Sequence, residues 1–139
     1  MSFLKRFFAD KETKAALGVV DECDLIFSSD DTFGDSFKII KAELVPYLYK
    51  GSHILKEHIK KGQSLRSCVY TAIAKIAQDH ITSGQYHMYR GVLSSMGPGH
   101  ALHKICIKAI DLVVKEGSVT QENGEQWKAD IREQISKTG

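Results

Sequence analysis

Between Ser64 and Thr82, Leu65, Cys68, Val69, Ala72, Ile73, Ile76, Ala77, His80 and Ile81 form a continuous stripe at i, i+3 and i+4 spacing. That period belongs to an α-helix, and a stripe this wide needs more than one neighbour to cover it. Its small residues let those neighbours come close, so the segment predicts a central helix with others packed around it. The rest of the chain must supply them, and the only prolines are Pro46 and Pro98, which leaves long helices open almost everywhere.

The neighbours are legible from the same period. Lys14 to Phe27 places Leu17, Val20, Leu25 and Phe27 as an apolar set, with Ala15 and Ala16 adding propensity. Residues 28–35 are rich in turn and capping types and read as a loop. Phe37 to Tyr49 carries Phe37, Ile40, Leu44, Tyr47 and Leu48, with Asp35 or Ser36 as cap and Pro46 as a kink or a new turn. Phe37-Lys-Ile-Ile is also compatible with a short strand, but no second strand candidate exists to pair with it. Ser52 caps a short helix through Lys61, which Gly62 closes.

Beyond the central helix, Gln85 to Met96 resumes the pattern through Tyr86, Tyr89, Val92, Leu93 and Met96. Gly97-Pro98 then reads as a stop followed by a helix start, and that helix runs to about Glu116 before Gly117. Val119 and Thr120 staple and cap a last helix with Trp127, Ile131 and Ile135 inward; Gly124 weakens its first turns. The expectation is all-α: a single compact bundle of six or seven helices. Residues 1–12 form an amphipathic N-terminal segment and residues 13–139 the helical domain.

At 139 residues, with 42% apolar and 26% charged side chains, the chain can bury a real core as one domain. A net charge of +2 gives no reason to expect nucleic acid. The charges are segregated. Asp21, Glu22, Asp24, Asp30, Asp31 and Asp35 stand in residues 15–35 without a Lys or Arg, whereas residues 36–66 carry seven basic side chains against Glu43 and Glu57. Two complementary surfaces, within one fold or between copies, account for this more simply than a dedicated ligand site. Cys23, Cys68 and Cys106 are widely spaced and odd in number. With no Cys-x-x-Cys pair and no signal peptide, a reducing cytoplasmic compartment is expected.

At the N-terminus, Phe3, Leu4, Phe7 and Phe8 share a helical face opposite Lys5 and Arg6. Such a segment suits a membrane interface or a protein groove, and its shortness favours protein.

The densest polar group lies between Gly84 and His103. His87 and Arg90 offer an acid–base group and an anion clamp, and the helix starting near Pro98 offers free N–H groups to an anion beside His100 and His103. Together these four make a candidate site for a small anionic ligand. The structural alternative has Tyr86, Tyr89 and Met96 filling core, Arg90 capping a helix end, and Gly97-Pro98-Gly99 making a tight turn. His100-x-x-His103-x-x-Cys106 presents zinc-type ligands on successive turns, but Cys106 drifts toward the core face and a fourth ligand is missing, so no metal is assigned.

Phosphate-loop, dinucleotide, calcium-loop, di-iron and nucleophile-elbow patterns are all absent, and no cofactor is implied. The favoured reading is a non-enzymatic helical interaction or regulatory module that holds a protein partner or self-associates, through a helical groove or its N-terminal segment. A small anionic-ligand protein or enzyme built on His87, Arg90, His100 and His103 is the alternative. Peripheral membrane association through Phe3, Leu4, Phe7 and Phe8 is a third.

Overall fold

A computed structural model describes the backbone of residues 11–28, 31–50, 52–82 and 97–138, and side chains over 11–27, 37–50, 56–80 and 102–133. Six helices account for nearly all of it: α1 (Lys11–Ser28), α2 (Asp31–Lys50), α3 (Ser52–Lys60), α4 (Leu65–Thr82), α5 (Gly97–Lys115) and α6 (Gln121–Thr138). The fold is an all-α bundle, with no strand among the described residues. The helix expected over Gln85–Met96 and residues 1–10 of the amphipathic segment 1–12 lie outside them, while residues 11 and 12 begin α1.

The local signals explain most boundaries. Ser64 caps α4, its Oγ accepting the Ser67 amide at 3.0 Å; Thr120 does the same for Asn123 at the start of α6, at 3.1 Å. Past the end of α3, Gly62 sits at φ +90°, where the amides of Gly62 and Gln63 reach back to the carbonyls of Ile59 and His58. Gly117 closes α5 at φ +84°. An L side chain is disfavoured in that left-handed conformation, so glycine is the natural terminator.

Two segments differ from expectation. The predicted loop over 28–35 is shorter, because α2 already begins at Asp31; aspartates in a first turn face the positive end of the helix dipole. Pro46 lies inside α2 and does not start a new element. Ala42 and Pro46 are both exposed, so the hydrogen bond that proline deletes falls on the solvent side.

Helix α4 is central, as its stripe requires. It packs most extensively on α5 and also meets α1, α2, α3 and α6. Ala74 and Ala77 of α4 and Cys106 and Ala109 of α5 are buried, and these small side chains permit the close approach. Phe27 at the end of α1 stacks on Phe37 of α2, centroids 4.8 Å apart and planes inclined by 27°; both rings are fully buried. Ile40, Leu44, Val69, Ile73, Leu102, Ile105 and Ile110 complete a continuous core.

Leu25 does not belong to that core: it is 76% exposed. At 100° per residue it stands about 200° from Phe27, on the opposite side of α1. The segregated charges also have a structural outlet. Glu22 forms a two-pronged pair with Arg66 of α4, and Asp24 meets Lys41 of α2 at 2.8 Å. Acidic α1 is thus held by basic side chains of its own chain.

Candidate functional site

Of the residues singled out between Gly84 and His103, only His103 has a described side chain. His87 and Arg90 lie outside the described residues. His100 belongs to α5, but its side chain lies outside them. Phe3, Leu4, Phe7 and Phe8 are outside as well. His103 is half-buried on α5. Cys106, one turn on and about 60° round the helix, is fully buried, with its thiol donating to the Ala74 carbonyl at 3.3 Å. Burial pushes that thiol's pKa up to about 12, so it is neither a ready ligand nor a nucleophile. Among the described residues, no group of three metal-ligating side chains converges.

His103 opens onto an apolar groove between α5 and α6, of about 660 Å³. Ile107 and Leu112, both half-buried, contribute its apolar lining on either side of a charged stripe. Lys104, Lys108 and Lys115 rise from α5, and Arg132 faces them from α6; all four are exposed. The carboxylate among them, Asp111, is engaged by Lys128 of α6, which also meets Glu125 at 3.1 Å. Those carboxylates hold the Lys128 pKa above the ordinary lysine value, the hydrogen bond to Asp111 contributing most. None of the four rim cations pairs with a carboxylate among the described residues.

Near its start α6 lies very close to α5. Gly124 is buried on α6, and a Cβ placed there would come within 2.5 Å of the Val114 Cγ2 methyl. A glycine that looks like a weak point in the helix is therefore the contact that seats it. Val119 finds no stapling partner, since the position four residues into α6 is that same glycine. It packs on the core and lines a second concavity instead.

That concavity is a cleft of about 420 Å³ where α2, α3, α4, the 116–120 turn and α6 meet. Tyr47, Leu48, Val119 and Trp127 give it apolar walls, while His58, Thr71 and Lys75 add polar groups. The Trp127 indole donates to Gln78 of α4 at 3.1 Å, and Ser118 donates to Ser67 at 2.6 Å, fixing the turn to α4. Cys68 lines the cleft half-buried, with its thiol pKa raised by burial.

His80 ends the α4 stripe nearly fully buried, with Nε2 at 2.9 Å from a Glu43 carboxylate oxygen of α2. Cys23 is buried in the core, its thiol raised to about 12 chiefly by desolvation and secondarily by the adjacent Glu22. Both groups brace the bundle.

No described helix is long and apolar enough to cross a membrane. No family model, curated protein or solved structure matches the chain.

Proposed function

We propose that the chain is a non-enzymatic helical interaction module that holds a partner protein by an acidic amphipathic helix laid in the α5/α6 groove. The observation that supports this is the pairing of apolar lining, Ile107 and Leu112, with four exposed cations that meet no carboxylate of their own chain among the described residues. Apolar side chains at i, i+3 and i+4 of a partner helix cover such a lining, and acidic side chains flanking them meet the cations. From His103 to Lys115 the groove runs about 18 Å along α5, the length of a three-turn helix. An extended polyanion suits it less well, because it would leave Ile107 and Leu112 uncovered.

The test uses a fluorescein-labelled helical peptide of three to four turns, with Leu at i, i+3, i+4 and i+7 and Glu elsewhere, and a control peptide with Lys in place of Glu. Anisotropy is expected to show saturable binding of the acidic peptide alone. Lys104→Glu with Lys108→Glu weakens it by at least about tenfold, and 1 M salt weakens it strongly as the Debye length shrinks to about 3 Å. Equal binding of both peptides, or none, overturns the proposal. So does light scattering that shows self-association lost on the same charge reversals, which would make the occupant a second copy. Tighter binding to vesicles of anionic lipid would overturn it in favour of a membrane surface.

A further inference from the structure

We propose that the cleft between α2, α3, α4 and α6 is a binding site for a small aromatic carboxylate. Its volume of about 420 Å³ lies in the range of small-molecule sites. Its key side chains stand on α4 and α6, apart from the α5/α6 groove. Trp127 is held by its hydrogen bond to Gln78, so its indole is fixed before any ligand arrives. Lys75 precedes Gln78 by one turn on the same face of α4, and its side chain lines the same cleft as that indole. Lys75 is exposed and pairs with no carboxylate among the described residues.

Thr71, one turn further back, adds a hydroxyl on the same side, and Leu48 and Val119 provide apolar walls. A preset aromatic face, an unpaired cation in the same cleft and apolar walls together select a flat apolar body carrying one anionic group. A neutral hydrocarbon would leave Lys75 unused, and a highly charged anion would be poorly matched to the walls.

Trp127 is the chain's sole tryptophan, so its fluorescence reports occupancy directly. The probe is 2-naphthoate, with 2-naphthamide as the isosteric neutral control. Saturable quenching is expected, with naphthoate binding about tenfold tighter than the amide. Lys75→Gln, a surface change the fold tolerates, removes that preference. Naphthoate also slows alkylation of Cys68, which lines the same cleft. Absence of saturable quenching up to millimolar probe overturns the assignment. So does equal affinity for acid and amide, an unchanged preference in Lys75→Gln, or an unaltered Cys68 alkylation rate.

Discussion

Gly124→Ala isolates a close contact between α5 and α6. In an exposed helix interior, this substitution stabilises by up to about 1 kcal/mol, because alanine loses less backbone freedom on folding. Here the new methyl would lie 2.5 Å from Val114 Cγ2, against the 3.5–4.0 Å at which carbon atoms rest in contact. The obstruction is a β-branched methyl on a helix, held in essentially one rotamer, so it cannot swing aside cheaply. Either Val114 leaves its rotamer or α6 moves out by roughly 1 Å, and overpacking of this kind costs about 1–3 kcal/mol. Taking about 2 kcal/mol for the clash, the net is a destabilisation of about 1 kcal/mol, or a fall of about 4 °C in Tm for a chain of this length. In the double variant with Val114→Ala the clash disappears, so a double-mutant cycle should return a coupling of about 2 kcal/mol. Scanning calorimetry with urea titration of the four proteins measures it. A rise in Tm for Gly124→Ala, or additivity across the cycle, would refute the claim that close approach of α5 and α6 selects glycine.

Other consequences are simpler to test. Native protein treated with a thiol reagent should label at Cys68 alone, Cys23 and Cys106 reacting only on unfolding, because both are fully buried; mass spectrometry reads the sites. The same two thiols have native pKa values near 12 against about 8.5 unfolded. The native state therefore keeps protons that the unfolded chain releases, and stability should fall as pH rises from about 9 toward 12, visible in urea midpoints. Phe27→Ala should cost about 3–5 kcal/mol by emptying the stacked pair with Phe37, and a midpoint shift equivalent to under 1 kcal/mol would contradict its place in the core. Among the described residues the buried Thr13 hydroxyl has no hydrogen-bond partner, so Thr13→Val should be neutral or stabilising by up to about 2 kcal/mol in the same urea assay.

The helices were legible because their signals are local. The stripe of α4, the cap Thr120, and the closing glycines 62 and 117 each act within one or two turns, and each sits where the sequence places it. What was illegible depends on partners distant in the chain. Leu25 is the exception, a local signal misread: two residues before Phe27, it stands about 200° away on the helix and faces solvent. Gly124 reads as a weakness until Val114 is seen beneath it. The groove left half a trace: Lys104, Lys108, Asp111 and Lys115 recur at intervals of four, three and four on α5, a charged stripe beside the apolar one. Arg132, on another helix, completes the rim only in three dimensions. The cleft left none, because Lys75 and Trp127 lie some fifty residues apart and meet only through the packing of α6 on α4.

The most direct test of the docking account is an amide chemical-shift map of the ¹⁵N-labelled protein titrated with the acidic amphipathic peptide. The account predicts saturable shifts centred on Lys104, Ile107, Lys108, Leu112 and Arg132, with Tyr47, Cys68 and Val119 in the separate cleft unmoved. Shifts centred on any other surface, or none at saturating peptide, would contradict it.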